Sequence, residues 1–196
     1  ELYNLEKQLA EKRIKDLEFN SSLLDFNGGE DTAKKQIAIY EQMQSEVHKL
    51  AEQARKRGIA ENDEYLQNLK SQWISYTDKI LDLSSEAYNK ANKEIADNAV
   101  QIELKQQLVK EDSQEYFEFE KQKYDNIIRQ ETILQNEITR LQAIGTNEAK
   151  KRAEDLINTY YDTVEKRYSI IKNLQSSQIS LFENQIEELE KQKSAL

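Results

Sequence analysis

The residue types that most often carry chemistry are few in this chain, and their spacing is wrong for most of it. His48 is the only histidine. A carboxylate-bridged metal pair in a helical bundle needs Glu-x-x-His on two helices and further inward glutamates, but Ser45 stands three residues before His48. A serine or cysteine triad also needs a histidine base within a shaped pocket, and the chain has no cysteine. His48 is therefore read as an ordinary helix residue. The acids Glu103, Glu111, Asp112, Glu115, Glu118 and Glu120 offer hard oxygen ligands, but they are spread around a helix and do not converge as a coordination shell. Gly28-Gly29 lacks the preceding strand and the following Gly-Lys-Ser/Thr of a phosphate loop. Asn20-Ser21-Ser22 matches an acceptor sequon, a match common by chance, and it falls within a predicted helix. No catalytic residue, cofactor site or metal site is assigned.

Two kinds of binding chemistry remain. Arg55 to Arg57 and Lys150 to Arg152 form basic clusters beside glycines, positions where an acidic partner can dock but where solvated cations are the ordinary reading. Trp73, Tyr76, Tyr160 and Tyr161 suit base stacking, yet their helical spacing points to helix packing with the hydroxyl left at the edge. The net charge of −9 opposes non-specific contact with nucleic acid or an anionic membrane.

Helices must position all of these groups. The chain has no proline and only four glycines in 196 residues, and apolar residues recur at steps of three and four between them. A third of the residues are charged, 37 % are hydrophobic and mean hydropathy is −0.91, which favours narrow seams between helices over a deep globular interior. No apolar run approaches the roughly 20 residues needed to span a bilayer. Because the chain opens at Glu1 and its only methionine is Met43, it is expected to be an excised or processed piece of a longer parent.

The expected fold is all-α, an elongated coiled coil or bundle of helical hairpins with about five long helices over approximately 2–26, 31–57, 62–110, 113–144 and 147–196, forming one region. In the first, Leu2, Leu5 and Leu9 give way to a shifted stripe of Ala10, Ile14, Leu17, Ser21 and Leu24. Gly28, Gly29, Gly58 and Gly145 are expected hinges, since glycine is the favoured left-handed stop of a helix. The third segment carries the most regular seam, Leu66, Leu69, Trp73, Tyr76, Ile80 and Leu83. The fourth carries Phe117, Tyr124, Ile127, Leu134, Ile138 and Leu141, with Glu120 and Glu131 at intervening seam positions. A shift of 87 positions lays Gly58 on Gly145, Glu61 on Glu148, Leu69 on Leu156, Trp73 on Tyr160 and Ile102 on Leu189. The alignment reads either as an internal repeat of one helical unit or as two heptad runs that coincide.

From Lys35 to Leu83, Gln36-Ile37, Tyr40, Val47-His48, Arg57-Gly58, Glu64-Tyr65-Leu66, Leu69, Gln72-Trp73, Tyr76 and Asp78-Lys79-Ile80 make up a wording that resembles the helical repeat region of tail tape measure proteins from tailed phages and prophages. The resemblance covers roughly a quarter of the chain. It implies a non-enzymatic protein of the phage tail interior, made in the bacterial cytoplasm, around which tail-tube subunits assemble and whose length sets that of the tail. Expected partners are other copies of the helix and tail-assembly proteins, with no nucleic acid and no membrane contact by this segment. The competing class is the spacer of a bacterial cytoskeletal, chromosome-organising or surface coiled coil, in the cytoplasm or at the cell surface.

Overall fold

The computed structural model describes residues 2–27 and 32–194. Among them there are five helices and no strand: α1 (Leu2–Asn27), α2 (Thr32–Lys56), α3 (Glu64–Gln106), α4 (Gln114–Ile144) and α5 (Asn147–Ser194). The fold is all-α. The expected hinge at Gly28 and Gly29 lies outside the described residues.

From the end of α2 to the start of α5, each helix boundary has a local cause. At the end of α2 the amide of Gly58 donates to Arg55 O at 2.9 Å and that of Ile59 to Ala54 O at 3.2 Å, which a left-handed Gly58, φ 80°, allows. Ile59 then folds back onto the apolar cluster beneath it. The Asp63 carboxylate accepts from the Tyr65 amide at 2.9 Å and so caps the start of α3. α3 was expected to run to about residue 110 but stops at Gln106. The chain tightens there, with Leu108 N bonded to Lys105 O and Val109 N to Gln106 O, a narrowing common at helix ends. Ser113 opens α4 as its N-cap, accepting from Tyr116 N at 3.1 Å. Gly145, φ 71°, closes α4, and the Thr146 hydroxyl accepts from Ala149 N at 3.2 Å to start α5.

Within the region read as one, contacts gather into two units, residues 1–87 and 88–196. Unit 1 holds α1, α2 and the first part of α3. Unit 2 holds the rest of α3, α4 and α5. α3 is continuous through the boundary, so it serves as the third helix of one unit and the first helix of the next.

In unit 1 the buried cluster is Ala10 and Ile14 from α1, Met43, Val47, Leu50 and Ala54 from α2, and Leu66, Leu69 and Tyr76 from α3. Of the two stripes on α1, the shifted one is buried at Ala10, Ile14 and Ser21, whereas Leu5 and Leu9 face outward. In unit 2, Ile95 and Ile102 from α3, Ile127, Leu134 and Leu141 from α4, and Ala149 and Ala153 from α5 are buried. α4 packs against α5, and α1 against α2.

Candidate functional site

The seam on α3 is built in unit 1. Leu66, Leu69, Tyr76 and Ile80 are buried, while Trp73 and Leu83 are half-buried. Trp73 packs against the apolar cluster from its edge. Tyr76 is buried and its hydroxyl reaches out to an exposed partner: the phenol donates to Glu18 Oε1 on α1 at 2.9 Å, and its ring lies 6.0 Å from that of Tyr40 on α2. Burial, then the bond to Glu18, holds the Tyr76 pKa well above the usual phenol range. Next to it, Gln44 on α2 donates to Thr77 Oγ1 at 2.6 Å, and Thr77 in turn donates to Trp73 O. One turn of α3 thus binds both other helices of its unit through polar groups set inside an apolar seam.

The rim of unit 1 is charged. Arg13 on α1 grips Glu46 on α2 through Nε at 3.0 Å and Nη2 at 2.8 Å. Partial burial works to raise the Glu46 pKa, but the bonds from Arg13 and Lys49 outweigh it and leave the carboxyl below its ordinary value. Of the basic cluster at residues 55–57, Arg55 pairs with Glu61 at 2.6 Å across the Gly58 turn, and Arg57 sits over the Tyr3 ring at 3.9 Å. Lys7 sits over the Tyr65 ring at 3.8 Å. Tyr65 is pushed up to about 12, chiefly by burial. His48 is exposed and faces Glu52 at 3.5 Å. Of the second basic cluster, Arg152 pairs with Glu148 on its own helix.

Unit 2 is built differently. Glu120, 1 % exposed, receives Gln106 Nε2 at 2.5 Å and Lys123 Nζ at 3.1 Å. Asn126 donates to the backbone carbonyl of Ile95 at 2.9 Å and accepts from Asn98 at 3.1 Å, and Gln130 donates to Asn92 at 3.2 Å. On the other side of α4, Glu131 meets Arg167 of α5 at 3.1 Å. A column of amides and charges therefore runs up α4 between its aliphatic residues. Glu120 Oε2, Glu131 Oε1 and Arg167 Nε have no direct protein hydrogen-bond partner.

Sequence reasoning placed Glu120 and Glu131 in the seam but missed Asn126 and Glu137, both buried. Polar residues carry no hydrophobic signal: Glu137 is marked only by standing three residues after Leu134 and four before Leu141, and Asn126, eight before Leu134, is marked by less. Phe117, Tyr124 and Ile138, read as seam residues, are half-buried at its margin.

The acids Glu103, Glu111, Asp112 and Glu115 are exposed and apart from buried Glu120. Among the described residues no group of His, Cys, Asp and Glu could hold a metal ion. No helix among them is long and apolar enough to cross a membrane.

Gly58 and Gly145 share the left-handed conformation and the helix-end role. The 87-residue shift that superposes them also lays buried Val47 on Leu134, Ala54 on Leu141, Leu66 on Ala153 and Tyr76 on Thr163. No family model, no curated protein and no solved structure matches this chain.

Proposed function

We propose that this chain is a non-enzymatic structural segment of a phage tail tape measure protein, a ruler and scaffold in tail assembly. The observation that supports the reading most is that Gly58 and Gly145, 87 residues apart, both end a helix in the left-handed conformation, as two copies of one helical unit would. A spacer extends by adding such units, because each added helix converts residue count into distance at about 1.5 Å per residue. The wording of residues 35–83 adds the resemblance to the tape measure family. A spacer of a bacterial cytoskeletal, chromosome-organising or surface protein is the second reading, favoured by the folded-back packing of α1 on α2 and of α4 on α5.

The test is an in-frame deletion of residues 58–144 in the parent gene, with tail length measured by electron microscopy. If the segment is drawn out as continuous helix in the tail, the tail shortens by about 130 Å. If it works folded back, α3 and α4 run opposite ways and the tail shortens only by the difference of their lengths, roughly 20 Å. Assembled particles with tails of unchanged length overturn the ruler. A parent that carries a nucleotide-binding head or a cell-wall anchor favours the second reading.

A further inference from the structure

The last third of α5 carries an apolar stripe that nothing in unit 2 covers. Ile179, Phe182, Ile186 and Leu189 are 58, 52, 55 and 64 % exposed, at three-four-three spacing along one face. α5 stays attached at Asn184, whose side-chain amide donates to Asp112 O at 3.1 Å just before α4 begins. Every described residue beyond Asn184 is exposed.

The internal register says what such a stripe is for. The shift that lays Gly58 on Gly145 lays the last third of α5 on the part of α3 that opens unit 2. Phe182 falls on Ile95, Ile186 on Ala99 and Leu189 on Ile102. Ile95 and Ile102 are each 4 % exposed, on the stretch of α3 that α4 binds through Asn126 and Gln130. The positions of Phe182 and Leu189 are thus buried one unit earlier and bare here, with half-buried Ala99 between them. α3 ends one three-helix packing and opens the next, and α5 reaches the same point with its opening face unfilled.

We infer that residues 175–194 of α5 form a docking face for an antiparallel hairpin of amphipathic helices, of the kind that α4 and α5 make, presented by another stretch of polypeptide. Two substitutions in the register define its chemistry. Lys193 stands where Gln106 bonds Glu120, so the incoming helix places a carboxylate against an ammonium group there. Ile179 stands where Asn92 accepts from Gln130, so the incoming helix is aliphatic at that point. A second copy packed through the same stripe is the weaker occupant. In an antiparallel pair of such stripes, Glu183 and Glu190 flank the contact on one side and face their own kind.

The absence of cysteine makes a direct test possible. In a Phe182→Cys chain the thiol should label fast, and in an Ile95→Cys chain it should label slowly. The chain is then continued after Ser194 with a second copy of residues 108–174, which keeps the register, carrying Gln130→Leu in the added copy. Labelling at position 182 should slow by at least about 10-fold, a protection expected of a buried helix face, and ellipticity should rise by the added helices. Leu189→Asp in the extended chain should restore fast labelling. An extension that stays unfolded, or a position 182 that labels as fast as before, overturns the inference. Protection of position 182 in the unextended chain that grows with concentration, alongside a dimeric mass in light scattering, also overturns it and makes a second copy the occupant.

Discussion

Units 1 and 2 have the same three-helix plan and the same glycine stop, yet their interiors are filled with different chemistry. Unit 1 closes on Met43, Val47, Leu50, Leu66 and Leu69 around the rings of Tyr40 and Tyr76. Unit 2 alternates Ile127, Leu134 and Leu141 with Glu120, Asn126, Glu131 and Glu137. Apolar burial is non-directional, so the core of unit 1 gains stability with little demand on register beyond its bonds from Gln44 to Thr77 and from Tyr76 to Glu18. Buried amides and charges must meet their partners, so sliding α4 by one turn would strand Glu120 and Asn126 if it moved against α3, and Glu131 if it moved against α5. The difference teaches that a repeated helical frame can have one unit built for cohesion and its neighbour built for alignment.

The largest effects separate the two cores. Leu50→Ala removes a fully buried side chain from unit 1 and should cost about 3 kcal/mol, read in urea by the fluorescence of Trp73, the chain's only tryptophan, which packs on that cluster. A cost below about 1 kcal/mol would mean that the cluster does not hold the unit together. In unit 2 the comparable loss should come from charge. Arg167→Leu leaves buried Glu131 without its cation and should cost about 3 kcal/mol, whereas Glu131→Leu combined with Arg167→Leu should restore or exceed the original stability. If the double variant is as weak as the single, the ion pair is not what the site depends on.

The glycine stops sharpen the likeness between the units. An added Cβ meets nothing within 4 Å at Gly58 and only carbonyl oxygens at 3.9 Å or more at Gly145. Gly58→Ala and Gly145→Ala should therefore each cost about 1 kcal/mol, from the left-handed backbone alone. A much larger loss at one of them would break the equivalence.

The smallest effects are those of pH, and the largest phenol shifts lie in unit 1. Tyr65 and Tyr76 have folded pKa values raised above the ordinary 10. Their unfolded phenols ionise first, so stability is intact below pH 10 and falls as pH rises above it. Tyr76→Phe should flatten part of that fall in a thermal melt series, and an unchanged slope would mean that Tyr76 is not its source. Glu46 has a lowered folded pKa, so its contribution is present above its ordinary 4.5 and fades as pH drops below it. Glu46→Gln should make acid unfolding less steep.

The helices were legible because backbone breakers and apolar spacing are local properties, and Leu66, Leu69, Tyr76 and Ile80 follow from them directly. Which face of α1 turns inward was not legible, since Leu5 and Leu9 are as apolar as Ile14 and only packing against α2 decides between the stripes. Nor was the polar column of unit 2. Asn126 is buried because a carbonyl on α3, Ile95 O, stands within 2.9 Å of it, a partner distant in sequence that periodicity does not reveal. The early end of α3 is likewise a tightening that no breaker residue announces.

The claim on which everything rests is that Gly58 and Gly145 are the same point in two copies of one unit, and a chain lacking residues 58–144 tests it most directly. In that chain α5 follows α2, and Arg167 takes the place of Ile80, opposite Gln44, which stands in register with Glu131. Gln44→Glu should then raise the melting temperature of the shortened chain by giving Arg167 its carboxylate. In the full chain the same substitution should lower it, because Gln44 donates to Thr77 there. Opposite signs in the two chains are the predicted result. A shortened chain that does not melt cooperatively, or a Gln44→Glu that weakens both chains, would contradict the register.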